Sequence, residues 1–371
     1  MMNKSPSTLV KTALSLIVLL LAATASAQSK MPQSARAGER LTAFCIDFNW
    51  GPNGFAPPGT FAKADPKVHY RWCKDLGQNV LWTFCATCDG YAWYQKSGVA
   101  PVQPGLKHDF LNDIAKLAHR DGKLAVGYFC VGANALWAQK HPDQSYGAPA
   151  AIHIPFTSEY LDYFCACIKD VLTKTEIDGF QLDWMYSPPL LMDEKKVRWM
   201  DCEKQMYVEL FGRPFPGKDK VDAHQTLEFQ RRALARCWRR IHDAAKSTRP
   251  DCILWLTCFD LRHPQIAGSK ILREVDWLVN EHPNPSSLEA TRKEVGPQTR
   301  IWQCISGWGA EHDPGKIAND PKYADLGFCG FASADPATTL PFTGTAKDPR
   351  HVANARNIEI LRKVFHEKTP K

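Results

Sequence analysis

Acidic residues follow short apolar runs at several points in the chain, and aromatic residues lie close to most of them. The clearest case is the run 177–182, which is followed directly by Asp183 and Trp184. Pro188 comes four residues after Trp184. Apolar and polar residues alternate through this run, which is the period of a β-strand. A carboxylate at a strand end can act as a nucleophile or as a general acid or base, and it can equally cap a helix or hold a loop.

The ends of the other predicted strands show the same pattern. The acids at or just beyond these ends are Asp47, Asp89, Asp183, Asp260, Glu281 and Asp335. The aromatic residues near them are Trp50, Tyr91, Trp93, Trp137, Trp184, Tyr186 and Trp308. Asp335 precedes a proline, so we expect it to cap a helix or to anchor a loop, and Asp47 is open to either role. Aromatic rings stack on a sugar while carboxylates bind its hydroxyls, so the set predicts an oligo- or polysaccharide substrate.

Alternation of strands and helices explains how these residues could meet. The predicted strands are 41–47, 79–84, 123–129, 177–183, 252–258, 276–280, 300–305 and 327–332. Eight such units predict an α/β fold, a single (β/α)8 TIM barrel over residues 41–371 with extended loops after the strands. Catalytic residues of such barrels lie at the carboxyl ends of the strands. Glycine-rich nucleotide-binding loops are absent from the sequence, so we expect no cofactor.

Composition agrees with one large globular domain. The chain has 371 residues, of which 44% are hydrophobic and 23% charged, with a formal net charge of +7. The densest basic cluster, Arg231, Arg232, Arg236, Arg239 and Arg240, has helical spacing. We interpret it as a solvated helix face and not as a nucleic-acid groove, because no nucleic-acid-binding motif accompanies it.

The N-terminus resembles an export signal. Lys4 and Lys11 precede the apolar run 14–23, and Ala25-Ser26-Ala27 is a small-residue cleavage site. We therefore expect residues 1–27 to be a signal peptide and 28–40 a linker. The mature chain would be exported, to the periplasm or the outside of the cell, and no later segment is apolar enough to span a membrane.

Thirteen cysteines raise the question of disulfides and metals. Most lie in apolar runs, as small core residues do. We expect any bridge to join surface cysteines such as Cys88 and Cys202. Cys85 and Cys88 have metal-like spacing, but no second pair follows, so we expect no metal site.

Three short motifs resemble the alpha-L-fucosidase-like barrel family. They are Asp89-Gly90-Tyr91-Ala92-Trp93, Gly127-Tyr128-Phe129-Cys130 and residues 178–183. Residues 200–212, 229–232 and 249–251 are similar to hypothetical glycosyl hydrolases of bacteria. The resemblance spans roughly residues 44–260 and implies a glycosidase that retains anomeric configuration through a covalent intermediate on Asp183.

The chain departs from this family where two histidines bind the sugar. Thr87 and Cys88 stand at those positions, which argues against fucose itself, although Asp89 and Trp93 remain to line the pocket. The resemblance does not identify the acid/base. Related barrel glycosidases often take it from the sixth strand, which favours Glu281 beside His282, while the end of the fifth strand offers Asp260. Retention predicts a carboxyl separation of roughly 5–5.5 Å from Asp183.

Two alternative hypotheses remain. The chain could be a catalytically inactive barrel that binds carbohydrate through its aromatic rim. It could also be a metal-dependent hydrolase that uses Asp47, Asp89, Asp260 and His282, although the sequence lacks a His-x-His or His-Glu-x-x-His pair.

Overall fold

The computed structural model describes residues 40–147, 152–186, 197–258, 261–281, 285–307, 313–345, 352 and 355–367. The side chains of Cys258 and Pro285 are outside this description. Among the described residues, no helix is both long enough and apolar enough to cross a membrane.

Eight parallel strands close into a barrel, which confirms the predicted fold class. They are β1 (Thr42–Asp47), β2 (Val80–Trp82), β3 (Leu124–Cys130), β4 (Gly179–Asp183), β5 (Ile253–Cys258), β6 (Trp277–Asn280), β7 (Arg300–Ser306) and β8 (Gly327–Ser333). Each strand pairs with its chain neighbours, and β1 pairs with β8 to complete the ring. All the predicted strands are present, with ends that shift by at most a few residues.

Helices cover the outside of the barrel. Those described are α1 (Pro66–Leu76), α2 (Phe110–Arg120), α3 (Ala135–Lys140), α4 (Ser158–Lys174), α5 (Asp201–Phe211), α6 (Ala223–Thr248), α7 (Ile271–Glu274), α8 (Pro285–Glu294), α9 (Pro314–Asn319) and α10 (Ala355–His366). The limits of α1 follow from local chemistry. Asp65 accepts a hydrogen bond from the Lys67 N–H at 2.7 Å, and Gly77 ends the helix at φ 93°. The sequence did not reveal the hairpin Trp50–Gly51 and Gly54–Phe55.

Four tryptophans fill one layer of the barrel interior. Trp82 of β2 reaches across to Trp255 of β5, with ring centroids 4.9 Å apart, and Trp302 lies 4.5 Å from Trp255 and 5.1 Å from Trp277. Barrels usually fill such layers with branched aliphatic residues. The large rings need small neighbours, and Gly327 supplies one because a Cβ there would lie 2.7 Å from the Trp302 ring.

The cysteines are buried core residues, and the expected bridge between Cys88 and Cys202 is wrong. All twelve cysteines whose side chains are described are free thiols. Cys88 is 3% exposed and lies against Cys130, because its backbone N–H donates to the Asn49 side chain at 2.7 Å and holds the loop inward. Cys202 lies half-buried on α5.

Arg231, Arg232 and Arg239 of α6 are exposed, as a solvated helix face requires, whereas the other two arginines of the cluster are half-buried. Arg236 donates to Glu209 of α5 at 2.6 Å and to the Phe156 carbonyl at 2.8 Å. Arg240 pairs with Asp162 of α4. These bonds connect α4, α5 and α6.

Substitution Gly327→Ala tests the fit of the tryptophan layer. The added methyl group meets the Trp302 ring, which cannot retreat from the other tryptophans, so we expect the free energy of unfolding to fall by about 1–3 kcal/mol. Urea denaturation measures this change. The matched control is Gly315→Ala, where a Cβ would meet its nearest neighbour at 3.5 Å and should leave stability unchanged or slightly higher. Equal stability of the two variants would contradict this account of the layer.

Candidate active site

Asp183 ends β4 at the carboxyl face of the barrel. The strand fixes it in register with Cys130 of β3. The Tyr128 hydroxyl donates to its Oδ2 at 2.9 Å, and the Trp184 N–H donates to its Oδ1 at 2.8 Å. Two donors therefore hold both carboxylate oxygens in place.

Trp184 reverses the chain immediately after this acid. Its φ of 53° lies in the left-handed region, which is costly for a bulky residue and is concentrated at functional sites. The His153 ring stacks on the indole at 5.3 Å, and Phe55 meets it edge-on at 6.2 Å. This packing holds the strained conformation and keeps the Trp184 N–H on Asp183.

Asp47 ends β1 at the same face. Its carboxylate accepts the Asn49 N–H at 2.7 Å, and its own carbonyl accepts the Ala334 N–H at 3.1 Å. Asn49 is 4% exposed, and its side-chain oxygen accepts the Cys88 N–H. The loops after β1 and β2 are joined through this asparagine.

Glu281 directly follows β6 and is partly exposed. Asp260, His282 and Trp308 lie outside the described residues, so their predicted roles stay predictions.

Asp183 lies close enough to Asp47 and to Glu281 for its charge to act on both. Burial is the main cause of each raised pKa, and the charge of Asp183 adds to it for the other two. The pKa of Asp47 rises to about 7. Hydrogen bonds from Tyr128 and Trp184 oppose the rise at Asp183, while burial and the charge of Asp183 raise the pKa of Glu281 well above that of a free glutamate. The site therefore combines an acid that ionises more readily with one that keeps its proton.

Asp89 and Trp93 support a loop. Asp89 accepts hydrogen bonds from the Thr87 hydroxyl at 2.6 Å, the Tyr91 N–H at 3.0 Å and the Gln103 amide at 2.6 Å. Trp93 is 1% exposed and packs on Phe48, with its indole N–H on Thr87. These contacts give both residues a structural role, and the buried ring of Trp93 has no exposed face that could contact a ligand.

The predicted aromatic residues divide into two groups. Trp50, Tyr91 and Trp184 are partly exposed, and Trp50 stacks on Phe55 at 3.8 Å. Trp137 and Tyr186 are buried: Trp137 stacks on His141 at 3.9 Å, and Tyr186 meets His263 edge-on at 5.5 Å.

Sequence reasoning missed several residues of the site: Asn49, Phe55, Tyr128 and His153. Of these, only Tyr128 could have been identified from the sequence, because it lies two residues before Cys130 on β3 and so shares the inward face of that strand. Among the described residues, no cluster of three or more His, Cys, Asp or Glu side chains could hold a metal ion.

Solved structures with a similar fold include glycoside hydrolases. Alpha-L-fucosidase isoenzyme 2 from Paenibacillus thiaminolyticus superposes with a TM-score of 0.61 at 16% identity, over 88% of this chain and 49% of that one. The beta-galactosidase from Bacillus circulans sp. alkalophilus superposes with a TM-score of 0.56 at 13% identity, over 88% of this chain and 55% of that one. The glycoside hydrolase domain of PgaB (BpsB) from Bordetella bronchiseptica superposes with a TM-score of 0.54 at 12% identity, over 88% of this chain and 98% of that one.

These likenesses show a shared barrel fold. The chain spans about half the length of the fucosidase and the galactosidase. No protein-family model matches the sequence, and no curated protein matches it.

Substitution Glu281→Gln tests the raised pKa through folding. A carboxyl group whose pKa is raised by folding stabilises the protein below its unfolded pKa, and that contribution is lost as pH rises through the folded value. Glutamine removes this loss, so at pH 9 we expect the variant to gain roughly 1–3 kcal/mol over the parent, and at pH 4 to gain nothing. Thermal unfolding at both pH values measures the effect. The control Glu289→Gln, exposed on α8, should gain nothing at either pH. A pH-independent effect at position 281 would refute the interpretation.

Proposed function

We propose that the chain is a glycoside hydrolase that uses Asp183 as nucleophile and Glu281 as general acid and base. The supporting observation is the pair of strand-end carboxyls whose environments separate their pKa values. Glycoside hydrolysis requires one carboxylate at the anomeric carbon and one carboxylic acid at the leaving oxygen. The similar structures catalogued as glycoside hydrolases share this barrel fold and support the same proposal.

Asp183 attacks the anomeric carbon while Glu281 transfers its proton to the leaving oxygen. The two donors on Asp183 keep it ionised and aligned. A glycosyl ester then joins the sugar to Asp183. Glu281, now ionised, takes a proton from water as the water attacks the same carbon, so the configuration is retained.

Partly exposed aromatic rings would hold the sugar. Trp50, Phe55 and Trp184 form a connected group beside Asp183. Their faces suit the apolar side of a pyranose ring. This arrangement supports a carbohydrate substrate.

We prefer Glu281 to Asp260 as the partner of Asp183. The charge of Asp183 contributes to the raised pKa of Glu281, which supports this choice. Asp260 lies outside the described residues and stays the alternative.

The proposed enzyme resembles the fucosidase-like family in its retaining mechanism and not in the sugar that it binds. Thr87 and Cys88, which replace the sugar-binding histidines of that family, are 5% and 3% exposed and serve the loop. We also propose that residues 1–27 direct export, so that the enzyme meets its glycan outside the cytoplasm.

Substitution Asp183→Asn tests the nucleophile. Asparagine keeps the shape of the side chain but cannot form the glycosyl ester, so we expect kcat on chromogenic aryl glycosides to fall by at least about 1,000-fold with unchanged circular dichroism. The control Asp335→Asn removes a neighbouring strand-end acid whose carboxylate accepts the Ala337 N–H, and should keep activity near the parent level. Parent-like turnover by Asp183→Asn would rule out this assignment. Glycan binding without any turnover by the parent would favour the inactive carbohydrate-binding barrel.

Substitution Tyr128→Phe tests the hydrogen bond that favours ionised Asp183. Its loss should raise the pKa of Asp183 and move the acidic limb of the kcat/KM profile up by roughly one pH unit. The matched control is Tyr94→Phe, which removes a similar hydroxyl–carboxylate bond of 2.6 Å to Asp170 away from the site. The control profile should match the parent, and an unshifted limb in Tyr128→Phe would remove Tyr128 from the mechanism.

A further inference from the structure

Hydrolysis of a glycoside uses two carboxyl groups, and the described barrel mouth holds a third, Asp47. Burial and the charge of Asp183 raise its pKa, so ionised Asp47 also opposes ionisation of the nucleophile. A third acid at this position therefore costs stability once it ionises. A positively charged group on the substrate, which a carboxylate would bind, would explain why an acid lies at this position.

Asp47 is held firmly for such a role. Asn49 binds its carboxylate and is anchored in turn by the Cys88 N–H at 2.7 Å and by the Ala56 N–H, which donates to the Asn49 carbonyl at 2.8 Å. Within the described part of the chain, Asn49 alone hydrogen-bonds the carboxylate, and Asp47 as a whole residue is partly exposed. A fixed, accessible carboxylate is a preorganised acceptor.

The aromatic hairpin follows this acceptor directly in the chain. Trp50 follows Asp47 by three residues and stacks on Phe55, whose neighbour Ala56 is bonded to Asn49. Phe55 also meets Trp184 at 6.2 Å, and the Trp184 N–H donates to Asp183, so the hairpin connects the loop that carries Asp47 with the nucleophile.

The local charge favours a cation at that substituent. Ionised Asp183, and Asp47 when it ionises, make the potential negative, while Glu281 keeps its proton and the nearby His153 is kept neutral because burial lowers its pKa to about 4. An ammonium group would relieve the repulsion among the acids, whereas a carboxylated sugar would add to it. The positions used for sugar recognition in the fucosidase-like family are buried here, which leaves recognition to other residues.

We propose that Asp47 binds an ammonium substituent of the sugar and that the preferred substrate is an amino sugar with a free, unacetylated amine. This inference rests on the proposed glycosidase function for turnover, but the binding it describes can be measured separately.

Calorimetric titration of the parent protein at pH 7 tests the binding. The ligands are glucosamine, galactosamine and mannosamine, each compared with its N-acetyl derivative and its parent hexose. For at least one sugar we expect the amine to bind about 10-fold more tightly or better, which is about 1.4 kcal/mol. Asp47→Asn, whose fold is checked by thermal unfolding, should lose that preference, Asp47→Glu should recover part of it, and Asp335→Asn should keep it.

Aryl glycosides with the same three substituents separate this inference from the proposed function. Hydrolysis without any preference for the free amine, or a preference that survives Asp47→Asn, overturns the inference and leaves the glycosidase intact. Binding of an amine through Asp47 without hydrolysis of any aryl glycoside supports the inference and overturns the glycosidase. Absence of both binding and hydrolysis overturns both.

Discussion

The backbone reversal between Asp183 and Trp184 is the constraint on which the site depends. A left-handed tryptophan is unfavourable by itself, yet it turns its own N–H onto the preceding carboxylate. The conformation persists because β4 is held between β3 and β5, while His153 and Phe55 hold the indole from two sides. Packing of the barrel thus maintains a geometry that a short peptide of the same sequence would not keep. The hydrogen bond from Tyr128 then acts on a carboxylate that is already fixed.

Closure of the barrel creates the electrostatics. Asp47, Asp183 and Glu281 are separated by about a hundred residues of chain or more, and they meet because parallel strands present their carboxyl ends at one face. Burial raises the pKa of all three acids, and the charge of Asp183 raises those of Asp47 and Glu281 further, which opposes folding at high pH. The tryptophan layer and the other buried apolar residues supply stability that offsets this cost. The same proximity that weakens the fold would serve the proton transfer that we propose.

The loops after the strands decide what the shared fold is used for. Asp89, Thr87 and Gln103 bind one another and stiffen the loop after β2, while Asn49 joins that loop to the one after β1. These bonds occupy the positions where the fucosidase-like family recognises its sugar. We therefore propose that recognition passes to the hairpin carrying Trp50 and to Asp47, on a barrel whose likeness to solved glycoside hydrolases lies in the fold.

The sequence by itself determined the barrel, because eight apolar strands alternating with amphipathic helices have few other ways to bury their surfaces. It also determined which acids end the strands, since strand limits follow from local pattern and capping, as at Asp65 and Gly77. Only the tertiary structure decided which of those acids lie close to other acids. Asp89 looked equivalent to Asp183 in sequence, but the hydrogen bonds that bind it to its loop come partly from Gln103, beyond the range of local pattern. The buried thiol of Cys88, the bond from Tyr128 and the packing around Trp184 likewise arise from contacts between distant segments, which periodicity and residue type do not encode.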